Sequence, residues 1–357
     1  MAATKGEVHV SAFHRLVRGS LVVFIAGLAA CGGGGGGGGS TPGPVTPPSK
    51  IFVGDAGNFA IGSSPNSNPS AGASVVDRVI SGSNTTLSQY LWGFALDVAN
   101  DRLYVSDLRA ILVFNNAGTA SGNIAPSRVV STILGGFGSF NGIYLDTVNN
   151  RLYAAANGST GFISDPQQVR VFDNVSTATN AAPIRSFTFA SNFIFDIAVD
   201  TTKDILYAYH TDGSNQTRIS VFANASTRNG FNLVPTRTII IGESFSSGPS
   251  IGIFVDAAND RLYAPRMGAI MVFDSASTKD GSISGTATPT RTINLQPTLG
   301  PVLTSITVDL GANRLYAADT AGLNIIPNAS TVDGTPPPFI RVLAPGGSVF
   351  RAVAVKP

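Results

Sequence analysis

One phrase, Asp-x-x-x-(Asn/Asp)-Arg-Leu-Tyr, constrains this chain more than anything else in it. It stands at Asp97 to Tyr104, Asp146 to Tyr153, Asp256 to Tyr263 and Asp309 to Tyr316. A fifth copy, Asp200 to Tyr207, keeps the spacing with Ile205 in place of the arginine, and a sixth starts mid-phrase at Lys50-Ile51-Phe52. From Phe52 through the five tyrosines the steps are 52, 49, 54, 56 and 53 residues. Repetition at a fixed period decides architecture before any local feature does.

That period is too long for helix pairs and fits a four-stranded β-propeller blade. Charged residues make up 12% of the chain and there are 40 glycines, a composition that suits short strands joined by turns. Taking the second repeat as the pattern, strands are predicted at Gly93 to Asp97, Arg102 to Ser106, Ala110 to Phe114 and Ser127 to Thr132. First strands recur at Gly142 to Asp146, Asp196 to Asp200, Gly252 to Asp256 and Ser305 to Asp309. They are apolar on both faces in most copies, as strands packed between neighbours are. Fourth strands each carry an arginine: Arg78, Arg128, Arg185, Arg237, Arg291 and Arg341.

The repeated aspartate sits at a strand end, four residues before the next strand. There a carboxylate can accept backbone amides of the turn and fix the hairpin, so a ring of aspartates is expected for structural reasons alone. Arg102, Arg151, Arg261, Arg314 and the fourth-strand arginines are expected to bridge blades or lie along solvated edges. Asn174-Val175-Ser176-Thr177, Asn224-Ala225-Ser226-Thr227 and Asn328-Ala329-Ser330-Thr331 read as asparagine-capped helical turns between third and fourth strands.

Ahead of the repeats, Arg15 and Arg18 precede the apolar and small-residue run Leu21 to Ala30, too short to span a bilayer and suited to a secretory signal peptide, residues 1–30. Residues 1–30 carry Lys5, Arg15 and Arg18 against Glu7, which accounts for the whole net charge of +2. The neutral remainder, with four lysines, lacks the footprint of a nucleic-acid binder. Residues 31–49 join polyglycine (Gly32 to Gly39) to a proline-rich stretch. They form a tether of a few tens of Å, about 15–17 Å of coil followed by up to about 30 Å of polyproline II. No strand precedes the glycines and no Gly-Lys-Ser/Thr closes them, so they are not a phosphate loop.

Two resemblances follow. Leu28-Ala29-Ala30-Cys31 resembles the lipobox of bacterial lipoproteins. It implies cleavage before Cys31, the only cysteine in the chain, and its acylation with chains such as palmitate. More than one acyl chain anchors durably. By the same resemblance, Gly32 in place of aspartate implies the cell outer membrane, facing the periplasm or the cell surface. The phrase and the third strands Val171-Phe172-Asp173 and Val272-Phe273-Asp274 resemble NHL and YVTN β-propeller repeats, a class of binding platforms, sensors and a few enzymes. The expectation is an all-β, six-bladed propeller over residues 50–357. Residues 50 to 80 lack a first strand, and Ala352 to Val355 are predicted to supply it, closing the ring without exposed edges.

Function is expected where the repeats diverge. Three residues after each phrase-ending aromatic stand Asp55, Asp107, Ala156, His210, Arg266 and Asp319. At the position four before each turn aspartate, Asp196 is the one carboxylate among Gly93, Gly142, Gly252 and Ser305. Asp196, His210, Asp55, Asp107, Arg266 and Asp319, with Trp92, Phe140, Asn141, Glu243 and Arg351 nearby, mark a ligand-binding face opposite the turn aspartates, suited to a small polar ligand or a cation. The reading is a monomeric binding or scaffolding module without cofactor or catalytic residues, whose partners are the membrane, through its anchor, and a small ligand or envelope protein. The alternative is a hydrolase resembling six-bladed lactonases, which hold Ca2+ near the axis. A single histidine and a single glutamate after Cys31 leave such a site dependent on aspartates.

Overall fold

The computed structural model describes residues 50–66, 76–133, 138–158, 167–244, 251–295, 302–320, 322–336, 340–343 and 348–356. The expected signal peptide, Cys31 and the expected tether lie outside them. Six sheets follow one another along the chain, each built on four antiparallel strands: a six-bladed β-propeller. The second blade comprises Leu91–Asp97, Arg102–Asp107, Ala110–Asn115 and Arg128–Thr132, within two residues of the predicted bounds. The first blade draws Ile51–Asp55, Ala60–Ser64 and Arg78–Ser81 from one end of the repeat region and Phe350–Val355 from the other. Val353 pairs with Val53 and Ala354 with Phe52, so the predicted closure by Ala352 to Val355 is present.

Apolar residues alternate to both faces of each sheet, and the core lies between blades. Six buried clusters each join one blade to the next. The phrase-ending tyrosines Tyr104, Tyr153, Tyr207, Tyr263 and Tyr316 are all at most 1% exposed. Burial at that level stabilises by about 1.5–3 kcal/mol for each large side chain. Two of them also reach across the seam, Tyr104 to the Val175 carbonyl and Tyr263 to the Ala329 carbonyl.

The turn aspartates do what their position requires. Asp97, Asp146 and Asp256 accept the backbone N–H and side-chain amide of Asn100, Asn149 and Asn259, and Asp309 accepts the N–H of Ala312. In the divergent copy Lys203 takes the asparagine's place, its backbone N–H and its ammonium both meeting Asp200. The next residue of the phrase has a second task. Asp101, Asn150, Asp204, Asp260 and Asn313 all have φ near +50°, a conformation Asn and Asp tolerate best after glycine. Their side chains accept an N–H from the turn after the third strand: Gly118, Ser176, Ser226, Ser277 and Ser330. This corrects the expected caps. Asn174, Asn224 and Asn328 are themselves left-handed, and the capping oxygen comes from the phrase.

The outer edges of the first five blades are covered by the next blade. Seven residues after each third strand from the second blade onward stand Gly122, Asn180, Gly230, Gly281 and Gly334, all with positive φ. Around each, the loop hydrogen-bonds the preceding blade's outer strand: Gly122 with Ile80's neighbours, Asn180 with Val129, Gly230 with Ser186 and Thr188, Gly334 with Thr292 and Asn294. At Gly281–Ser282 the contact becomes a short parallel strand on Arg237–Ser244. Exposed strand edges invite pairing with other chains, and these loops occupy them. Three of the fourth-strand arginines bridge the same seams: Arg78 to the Gly118 carbonyl, Arg128 to Val175 and Ala178, and Arg291 to Ser330. By contrast Arg151 and Arg261 stay within their blades, paired with Asp173 and Asp274.

Candidate functional site

The innermost strands depart from ideal pairing at one common level. Register slips between Leu91 and Gly93, Phe140 and Ile143, Ile194 and Asp196, Leu303 and Ser305, and at Arg351 opposite Gly54 and Asp55. In the fifth blade the ladder is confined to Phe254–Asp256, and Gly252 turns with φ +94°. Bulges free backbone groups and redirect side chains. Here the freed groups tie neighbouring blades. Ser106 donates to the Asn141 carbonyl, Asn157 exchanges two hydrogen bonds of 2.7 Å with the backbone of Ile194, and Thr304 donates to the Phe350 carbonyl. Arg351 lies over the Trp92 ring, 4.6 Å from its centroid.

Inside this belt runs an axial channel of about 470 Å³, walled by the innermost strands of all six blades. Its lining runs from Trp92 and Ile251 at one end to Val98, Leu310 and Gly311 at the other. Val98 and Leu310 belong to the loops that follow the turn aspartates, and both are exposed, at 40% and 49%. They form an apolar rim. The walls between include Phe94, Leu96, Tyr144, Phe254, Val255 and Val355, with hydroxyls only at Tyr144, Thr304, Ser305 and Thr307.

Asp196 is the one carboxylate in the lining, and among the described residues no lysine, arginine or histidine lines the channel with it. Its oxygens accept the N–H of Ile197 and, across the blade seam, the N–H of Ile253, both at 2.8 Å. Burial pushes the Asp196 carboxyl up to about 7, against the lowering effect of those two amides. The surface that the carboxylate retains is the surface of the channel itself. A Cβ at Gly142 would lie 1.8 Å from Asp196 Oδ1, so the third blade must carry glycine where the fourth carries this side chain.

The other five expected ligand residues lie off the channel lining, each occupied elsewhere. Asp55 accepts Gly57, Asn58 and Val349 and holds the closure loop. Asp107 accepts the Ser88 amide and hydroxyl, and burial still pushes its carboxyl up. Asp319 pairs with Arg341 at 2.8 Å, and Arg266 with Glu243 at 3.1 Å. His210 sits between the Thr211 carbonyl and the Ser220 hydroxyl, edge-on to Phe189 at 5.0 Å, and burial pulls it down to about 4. Asp196 and His210 share a blade without sharing a site, since the residue opposite Asp196 is Tyr209. Trp92, from the flanking set, does line the channel. Asn141 is fully buried and takes a hydrogen bond from Ser139.

Chemically the channel presents one half-buried carboxylate in apolar walls. Ca2+ takes six to eight oxygen ligands. The channel's described side chains offer one carboxylate and four hydroxyls, two of them already donating to or accepting from the backbone at the sixth seam. The accessible rim also lies on the turn face, where the sequence reading placed only hairpins. Compared with protein-family models and with curated proteins, the chain matches none.

Proposed function

We propose that the protein is a noncatalytic binding module of the cell envelope, tethered through an acylated Cys31, with the axial channel as its ligand site. The observation that carries this reading is the channel's composition. A space of about 470 Å³ with apolar walls drawn from every blade and one carboxylate is of the size and kind that holds small molecules. Among the described residues no histidine, cysteine, lysine or second carboxylate lines it beside that one, and no group of three metal-ligating side chains is present. The lipobox at Leu28 to Cys31 and the tether behind it support the envelope address.

The test uses the protein's one tryptophan, which lines the channel. Trp92 emission should shift or quench when an apolar small molecule binds, and Ala198→Trp, which fills the channel from the fourth blade, should abolish the uptake measured by calorimetry. If uptake survives the filled channel, the site is elsewhere. Cys31→Ser should move the protein from the membrane to the soluble fraction. Continued sedimentation with membranes would refute the lipid anchor.

A further inference from the structure

We infer that the channel selects organic amines: an apolar body lies along the walls and a protonated amine meets the Asp196 carboxylate. This rests on the channel being a ligand site and goes further by naming what the ligand must carry. A carboxylate buried without a cation is costly, and burial is tolerated when a counter-charge arrives with its own hydrogen bonds. Asp196 has two backbone donors, which leaves acceptor capacity on both oxygens, since a carboxylate offers about four lone-pair positions. Among the described residues no cation fills them, so the ligand must.

The walls restrict the remainder of the molecule. From Gly93, which holds in its blade the position that Asp196 holds in its own, the lining runs five residues along the strand to the exposed rim at Val98, about 16 Å at ~3.3 Å per residue. Phe94, Tyr144 and Phe254 along that path provide aromatic surface for a hydrocarbon or ring system. An anionic ligand would meet like charge in a low dielectric, and a neutral one would gain apolar burial without satisfying the carboxylate. A metal ion would find a single carboxylate among the described side chains, short of the several oxygens that Ca2+ takes. The charge pattern thus favours a monoamine with an extended apolar tail over a polyamine, whose further charges would have no partner.

Titration gives a readout that a purely structural carboxylate would not. Asp196 rises to about 7, and the other titratable group on the described channel wall, Tyr144, is pushed up to about 12 and is silent below pH 9. From the elements packed against Asp196 come Gly142 on one side and Ile253 on the other, neither charged. Amine preference should therefore be full at pH 8 and fade towards pH 5 as the carboxyl takes a proton.

The experiment compares n-octylamine, 1-octanol and octanoate on the full folded chain by calorimetry and Trp92 emission at pH 5, 6.5 and 8. At pH 8 octylamine should bind at least tenfold tighter than octanol, and octanoate weakest. The preference should fall to within threefold at pH 5, and Asp196→Asn should bring the amine down to the alcohol's level at pH 8. Equal binding of amine and alcohol at pH 8, or a preference that survives Asp196→Asn, overturns the inference and leaves the channel as a plain apolar site. If none of the three binds or moves Trp92 emission, the channel reading falls as well. Because the wild-type pH series needs no substitution, the answer stands even if the variant folds poorly.

Discussion

The hairpin aspartates and the channel aspartate are the same residue type in opposite circumstances. Asp97, Asp146 and Asp256 each face an asparagine three residues on and are closed off by its two N–H donors. At Asp200, burial alone would raise the carboxyl, but Thr202 and Lys203 outweigh it and hold it below its ordinary value. Asp196 lacks such a local partner set, and there burial prevails. A side chain that every blade repeats comes with its donors in the same phrase. A side chain that breaks the pattern lacks those donors, and among the described residues Asp196 has two backbone amides, one from its own neighbour Ile197 and one across the seam from Ile253. Local completeness therefore separates residues that build blades from one that is free to respond to a ligand.

The largest expected effect comes from removing what both regions share. Residues 349–357 contribute the innermost strand of the first blade, the carbonyl that Thr304 meets, and the channel wall at Val353 to Val355. Deleting them should cost several kcal/mol of a total of about 5–15 kcal/mol and expose the Ile51–Asp55 edge to self-association. Thermal melting and size-exclusion chromatography check this. An unchanged midpoint with a monomeric profile would mean that the ring is closed by something else.

Next in size is the pH dependence of stability, where Asp196 and His210 should act in opposite directions. Asp196 is raised in the fold, so its contribution is present below its unfolded value near 3.8 and is lost as pH rises through about 7. His210 is lowered, so its contribution is present above about 6.5 and is lost as pH falls through about 4. Between pH 4 and 6.5 the two offset one another. Asp196→Asn should uncover the histidine, giving a variant that loses stability on acidification more steeply than the parent and that gains on it above pH 7, by a few kcal/mol at most. Urea midpoints at pH 4.5, 6 and 8 would show this as diverging curves. Parallel curves would mean that Asp196 titrates as an ordinary surface carboxyl, and the contrast with the turn aspartates would disappear.

Asp256→Ala tests the other side of the comparison. The carboxylate caps the single turn Ala257–Asn259 and is 1% exposed, so its loss should cost about 1–2 kcal/mol. Trp92 emission and small-molecule uptake should be unaffected. Loss of uptake with unchanged stability would show that the turn face acts in binding directly and not only as the rim of the channel.

The blades were legible because the phrase carries its own register. An aspartate, five residues and an apolar pair fix where one strand ends and the next begins, and Ala352 to Val355 align with the other first strands by the same apolar pattern. The seams were not legible, since they join residues about fifty positions apart and leave only a thin trace. That trace is the Gly or Asn seven residues beyond the third strands of the second to sixth blades, whose common need for positive φ marks the loop that covers the preceding blade. Asp196 stood out because Gly93, Gly142, Gly252 and Ser305 are small, and contact with Gly142 gives the reason. Asp55, Asp107 and Asp319 stood out only as differences. What they differ in is loop anchoring, as their Asn58, Ser88 and Arg341 partners show, and position after the phrase carried no information about which way each side chain turns.

The smallest effect concerns the fifth position of the phrase, where Asp and Asn alternate between blades. Asp260 has φ +49° and accepts the Ser277 N–H at 2.9 Å and its hydroxyl at 2.7 Å, while Lys203 stands 3.4 Å away. Asparagine keeps the left-handed backbone and one acceptor, and the exposed ion pair that it gives up contributes about 0–1 kcal/mol. Asp260→Asn should therefore shift the urea midpoint by no more than about 0.5 kcal/mol. Asp260→Ala loses the clasp and strains the backbone, and should cost about 1–2 kcal/mol more. Since Asn150 and Asn313 already serve this position with the same backbone, the variant that resembles them should behave as they do. Equal losses for both substitutions would show that charge, not conformation and a single acceptor oxygen, selects this residue, and that even the blade-building positions respond to their electrostatic surroundings as Asp196 does.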